Sequence, residues 1–182
     1  MGITTMKAKF LFPVALALSL AGCASGPKSD LYSYRNDLGG PGIDLIVDNE
    51  LDSGERPTEL VWVNALRTHR SAWDALYYLE VRYEALPQTG YLEINPGETL
   101  QFTVDGQSMK FRGRGSVNER KETNNTLIEH ALYEAKVDDL RKIAKGKSVT
   151  VEIVGSHRTV RREFKPANID KFRTFVLTYI GF

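Results

Sequence analysis

Apolar and polar positions alternate along most of the chain after residue 58, which is the two-residue period of a half-buried β-strand. The alternation predicts strands over 60–66, 74–86 and 90–94, and a hairpin whose tight turn is Asp105-Gly106. In the strand over 74–86 one face is apolar, and Tyr78 interrupts the polar face. We therefore expect Tyr78 to be an exposed aromatic side chain, whereas most other aromatic residues should lie in the core.

The period changes toward the C-terminus. Residues 127–135 fit either a strand or a helix, and we favour a strand because a better helix start follows at Val137. Helical spacing predicts one helix over 137–145, stopped by Gly146, and a last helix that begins near Pro166 and carries a Phe-rich stripe. Strands over 149–153 and 159–164 lie between them. The prediction is an α+β fold, mostly antiparallel β-sheet, with a C-terminal β-α-β-β-α segment that packs two helices on one face.

The first 22 residues have the layout of a secretory signal. Lys7 and Lys9 precede about a dozen apolar residues, fewer than the roughly 20 that a membrane span needs. The sequence Leu20-Ala21-Gly22-Cys23 that follows resembles the lipobox of bacterial lipoproteins. The resemblance implies a diacylglyceryl group on the Cys23 sulfur, cleavage before Cys23 and acylation of its amine. The alternative is an ordinary signal peptide with a chance cysteine.

The signal sequence and lipobox also predict the cellular location and the first domain boundaries. Among lipoproteins, Asp after the cysteine favours the inner membrane; residue 24 is Ala, so the resemblance implies an outer-membrane protein on the periplasmic side. We divide the chain into a signal peptide over 1–22, a lipidated N-terminus and tether over 23–58, and one globular domain over 59–182. Glycines and prolines interrupt the tether, in which 43–47 could be a short edge strand.

Charge and cysteine content narrow the function classes. Lys+Arg number 24 and Asp+Glu 23; without 1–22, which holds two lysines and no acid, the balance is 22 to 23, a charge of −1. This balance argues against nucleic acid as a partner. A single cysteine excludes an internal disulfide, and His69, His130 and His157 lack metal-ligand spacing, so we expect no cofactor or metal. We expect His69 and His157 in exposed turns and His130 half-buried.

The candidate site is basic. Lys110, Arg112 and Arg114 project from one face of a predicted strand, about 6.5–7 Å apart. A second basic group is Arg158, Arg161 and Arg162. The alternative interpretation is that these cations pair across the sheet with acidic side chains, namely Glu80, Glu84 and Glu152.

The function hypotheses follow in order. The first is a non-enzymatic docking or assembly accessory at the outer membrane that binds an envelope protein partner. The second is a binding module for anionic glycan or lipid, such as lipopolysaccharide or peptidoglycan, through Lys110, Arg112, Arg114 and neighbouring aromatics. A hydrolase of envelope polymers ranks last, because no set of nucleophile, base and oxyanion donor is evident.

Overall fold

The computed structural model describes residues 31–34, 41–46, 48–51, 58–71 and 74–182. These residues form eleven strands and two helices. In chain order the elements are β1 (Leu31–Tyr34), β2 (Gly42–Ile46), β3 (Glu50–Leu51), β4 (Glu59–Ser71), β5 (Asp74–Ala85), β6 (Gly97–Val104), β7 (Gln107–Gly113), β8 (Arg120–Thr123), β9 (Thr126–Ala135), α1 (Val137–Lys145), β10 (Val149–Val154), β11 (Thr159–Glu163) and α2 (Pro166–Tyr179).

All described strands belong to one antiparallel sheet. Its order is β1-β2-β4-β5-β9-β7-β6-β10-β11, with β3 added to β4 and β8 added to β9. The sheet is curled: Glu59, at the start of β4, contacts two arginines in or next to β11, the last strand of this order. Arg158 Nη1 lies 2.8 Å and Arg162 Nη2 3.4 Å from the Glu59 carboxylate. The α+β class and the mostly antiparallel sheet are confirmed.

The curled sheet and the helices enclose one hydrophobic core. Helix α2 buries Ile169, Phe172, Phe175 and Val176, the stripe that its sequence predicts. The Phe172 ring lies 5.4 Å from that of Phe164. Helix α1 buries an apolar face of its own and contacts α2. Burial of each large side chain contributes about 1.5–3 kcal/mol, so these helices hold the sheet in its curled form.

The folded domain includes residues before 59, where the sequence interpretation began it. Strand β2 pairs with β4, and β1 pairs with β2. Ile46 and Leu51 are fully buried members of the core. The short strand expected over 43–47 is present as β2, but it is not an edge strand, because β1 pairs with its other side. The described residues before 59 show little apolar alternation, so the sequence pattern did not assign them to the domain. Backbone pairing of β2 with β4 makes them part of the sheet.

Two local predictions were wrong. The segment 90–94 is not a strand; Ile94 makes only an isolated bridge to Gly155. Conversely, the polar composition of 117–125 predicts a loop, but this stretch contains β8, which pairs with β9. Both residues of its turn, Asn124 and Asn125, have positive φ, 40° and 68°, as a two-residue hairpin turn requires. Residues exposed on both faces hide such a strand from hydrophobic patterning.

Candidate functional site

The candidate site lies on the sheet face that points away from the core, here called the outer face. The register of β4, β5 and β9 places Leu66, Tyr78 and Glu134 side by side in one row. In the next row Glu80 lies beside Leu132. Leu132 is 47% exposed, and Leu76 on the same face of β5 is 59% exposed. The outer face therefore presents apolar side chains among its polar ones.

Strand β7 supplies the basic side chains. Lys110 and Arg112 alternate with the buried Phe111, so both point outward, and Arg114 follows the end of the strand. All three are exposed. The ion pair recorded for Arg112 joins it to Glu98 at 3.9 Å, between side chains that are 77% and 52% exposed. Such an exposed pair is worth about 0–1 kcal/mol, so Arg112 can exchange it for another anion at little cost.

The acids expected to neutralise this basic face have other partners. Glu80 lies 3.3 Å from His130, Glu84 pairs with Arg82, and Glu152 pairs with Arg161 at 3.5 Å. Cross-strand pairing of these three acids with Lys110, Arg112 and Arg114 is thus not what the described residues show. The positive charge on β7 faces solvent.

Strands β7 and β9 separate immediately after a single contact. They pair only at Gly113 and Tyr133. A Cβ atom on Gly113 would lie 2.8 Å from the Leu132 carbonyl oxygen and 2.8 Å from the Tyr133 ring, so only glycine permits this approach. Away from this point the two strands diverge, and their outer faces become the two walls of a groove.

Three adjoining cavities of about 690, 440 and 460 Å³ make up this groove. The first two share Tyr78, Arg112 and Glu134, and the second and third share Leu66, Arg114 and Leu132. We call the whole the basic groove, after its β7 wall. Its lining includes Leu66, Leu76, Tyr78, Glu80, Lys110, Arg112, Arg114, His130, Leu132 and Glu134. The structure brings together Tyr78, Lys110, Arg112 and Arg114. Tyr78 is partly exposed there.

One end of the basic groove holds an oriented histidine. His130 Nδ1 lies 3.3 Å from Glu80 Oε1, and Asn64 donates a 3.0 Å hydrogen bond to Glu80 Oε2. The hydrogen bond with His130 lowers the pKa of Glu80, against the opposing effect of burial. His130 is half-buried, as expected. Of the described residues that line this end, none carries a hydroxyl or thiol, so the pair orients an imidazole without an adjacent nucleophile.

In the second basic group, Arg161 pairs across the sheet with Glu152, as the alternative interpretation expected, and the other two arginines have a structural role. Arg158 and Arg162 clamp the buried Glu59 carboxylate, and Arg158 also donates to the Tyr83 hydroxyl. Burial first, and then the Glu59 charge, raise the pKa of Tyr83 well above its usual range. These arginines are committed to closing the sheet and do not extend the basic groove.

The sequence analysis did not identify Glu129 as a buried carboxylate. Glu129 is fully buried and accepts hydrogen bonds from three successive backbone amides, at 2.8 Å from Leu92, 3.1 Å from Glu93 and 2.7 Å from Ile94. The Ser116 hydroxyl donates to the same carboxylate. Its position in the sequence could have indicated this burial, because Glu129 falls on the same side of the β9 alternation as the inward-facing Leu127 and Ala131.

The prediction for His69 was wrong. His69 is 7% exposed within β4, and its Nε2 lies 2.8 Å from the fully buried Asp44 carboxylate. It was expected in a turn because the β2 pairing partner that buries it could not be predicted. His157 is exposed, with 78% of its side chain accessible, as predicted.

The predicted signal peptide over 1–22 and the predicted lipidation residue Cys23 lie outside the described residues. Neither described helix has the length and apolar character of a membrane span. Within the described ranges, no group of three or more His, Cys, Asp or Glu side chains is placed to hold a metal ion.

Comparison with known proteins adds no relative: no family model, no curated protein and no solved structure matches the chain.

Proposed function

We propose that this protein is a lipid-anchored docking protein of the bacterial cell envelope, and that its basic groove binds a protein partner. The observation that carries the proposal is the groove itself. It joins three exposed cations, a partly exposed tyrosine and two exposed leucines in one continuous depression. The proposed role is non-enzymatic: it requires only binding, for which the groove provides charged, aromatic and apolar side chains.

The composition of the groove is that of a protein-binding surface. Arg and Tyr are the residue types that most often dominate protein interfaces, and apolar side chains form the interface centre. Leu76 and Leu132 are exposed on the outer face, where a partner would bury them and gain about 25 cal/mol per Å². Lys110, Arg112 and Arg114 would steer an acidic partner toward these leucines.

The anchor makes a modest affinity sufficient. In the proposal Cys23 carries two or more acyl chains, which together give stable membrane attachment. The residue after it, Ala24, favours the outer membrane. Confinement at the membrane surface raises the effective concentration of the domain toward a partner in the same envelope. The proposal also includes the arrangement of the helices: the C-terminal β-α-β-β-α segment packs its two helices on one face of the sheet, which leaves the opposite face open for docking.

The test uses the full chain, purified in a non-ionic detergent. It is cross-linked in envelope extract, and the partner recovered at stoichiometric level is then titrated against groove variants. The triple variant Lys110→Gln, Arg112→Gln, Arg114→Gln should bind at least tenfold more weakly. A control with the same loss of charge, Lys121→Gln, Lys142→Gln, Lys147→Gln, changes exposed lysines outside the groove lining and should bind like the unmodified protein.

Two results would overturn the docking role. One is equal binding by both triple variants. The other is groove-dependent binding of lipopolysaccharide or peptidoglycan without any stoichiometric protein, which would instead support a module for anionic glycan or lipid. The anchor is tested separately: Cys23→Ala should release the protein from the membrane fraction, and retention would refute lipid attachment at that residue.

A further inference from the structure

Among the strands that the structure describes, β7 has an open edge that leads into the basic groove. On one side it pairs with β6 along its length, from Gln107 to Gly113. On the other side the pairing found among the described strands is the single contact with β9 at Gly113. Among the described residues, 107–112 thus have no second strand partner, and 110–112 of them line the cavity of about 690 Å³.

The register shows which backbone groups face this edge. The turn between β6 and β7 has two residues, Asp105 and Gly106, with φ of 48° and 84°. A two-residue hairpin closes with a hydrogen-bonded pair, here Val104 and Gln107, and hydrogen-bonded and non-hydrogen-bonded pairs then alternate. The N–H and C=O groups of Ser108 and Lys110 therefore point away from β6, toward the open edge.

The cavity beside this edge has two kinds of wall. Toward the core it is lined by apolar side chains, including Tyr77, Phe111 and Val137. Toward solvent its charged lining is Lys110 and Arg112 of β7 and Glu134 on the facing β9 wall, with Lys136 and Asp139 at the start of α1, so cations outnumber acids by three to two.

We infer that the partner binds by strand addition: an extended segment of the partner protein, with acidic and apolar side chains in alternation, pairs with the β7 edge at Ser108 and Lys110. The inference rests on the proposed function and specifies its mode. Unpaired backbone groups in a regular row are matched by another peptide backbone, which a glycan or a lipid does not supply. The period of two places the acidic side chains against Lys110 and Arg112 and the apolar ones against Phe111.

The test compares two substitutions of one residue. Ser108→Pro removes the N–H that would donate to the added strand; because this N–H points away from β6, the existing β6–β7 pairing is kept, as for proline on an edge strand. Ser108→Ala is the control, since it keeps the N–H and removes only the hydroxyl. The probe is a random ten-residue peptide library displayed on phage, selected on the full chain in non-ionic detergent, with the selected sequences resynthesised for titration.

The expected result is enrichment of peptides with alternating acidic and apolar residues that bind Ser108→Ala like the unmodified protein and Ser108→Pro about tenfold more weakly. Absence of binders, selected sequences without a two-residue period, or equal binding to both variants would overturn strand addition. Capture of an envelope partner is measured independently, so strand addition can fail while the docking role stands.

A second measurement covers the case in which Ser108→Pro does not fold, as judged by its thermal unfolding. The selected peptide is then N-methylated at alternate residues in two complementary sets. Methylation of the set whose N–H groups face β7 should weaken binding about tenfold, and methylation of the other set should leave it nearly unchanged. Equal effects of the two sets would overturn the inference.

Discussion

Replacement of Glu129 by glutamine is expected to destabilise the fold by about 3–6 kcal/mol. The carboxylate is fully buried and accepts from the backbone amides of Leu92, Glu93 and Ile94 and from Ser116. An amide of the same shape keeps one acceptor oxygen and turns an N–H₂ group toward the donors at the other oxygen. If the amide faces Leu92 and Glu93, two charge-assisted hydrogen bonds are lost at about 1.5–3 kcal/mol each.

The loss should also reach the groove. The segment 92–94 is the support on which Gly115 rests, since a Cβ atom there would lie 2.8 Å from the Ile94 carbonyl oxygen. Arg114, the last cation of the β7 wall, precedes Gly115 directly. Loosening 92–94 therefore frees the backbone that positions Arg114.

Chemical denaturation followed by tryptophan fluorescence measures the change. Glu122→Gln is the matched control, because Glu122 is an exposed residue of β8 and its loss should change the free energy of unfolding by no more than about 0.5 kcal/mol. Faster hydrogen exchange at residues 92–94 should accompany the destabilisation. Glu129→Gln within 1 kcal/mol of the unmodified protein would refute the assignment of this carboxylate as the support of the segment.

Three further outcomes are expected. Gly113→Ala should cost about 1–3 kcal/mol in thermal unfolding, because its Cβ would press on the β9 backbone and an aromatic ring; an unchanged melting temperature would contradict the close approach of β7 and β9. Phe172→Ala should cost about 3–5 kcal/mol, whereas truncation of the exposed Leu177 on the same helix should cost little; equal effects would place Phe172 outside the core. The pKa of Glu80, measured by carbon-13 NMR, should lie below that of an ordinary glutamate and rise in His130→Ala; a pKa unmoved by His130→Ala would refute the hydrogen bond as its cause. Because the folded-state pKa is depressed, this carboxyl stabilises the protein above its unfolded-state pKa and loses that contribution as pH falls through the folded-state pKa.

Local patterns were enough to predict much of the fold. The alternation of β5 and β9 and the helical stripe of α2 each report which side of one element is buried, and that information lies within the element itself. Helix α1 begins and ends at the residues its spacing indicates, Val137 and Lys145. Antiparallel pairing of the hairpin strands follows from their short connections.

What could not be predicted depends on pairing between distant segments. Asp44 is buried because β2 lies against β4, and no residue near Asp44 in the sequence indicates that His69 is its partner. Glu129 likewise serves a segment some 35 residues away. The candidate side chains were found from the sequence, but the groove that unites Tyr78 with Arg112 requires the strand order β5-β9-β7, which no local pattern contains.

Photo-cross-linking in living cells tests the docking role of the basic groove most directly. A photoreactive amino acid is placed at Leu132, in the groove, or at Leu177, which is 59% exposed on α2 and lies outside the groove lining. The account predicts that position 132 yields a covalent adduct with one protein of the envelope and that position 177 does not. Equal adducts from both positions, or none from position 132, would contradict it.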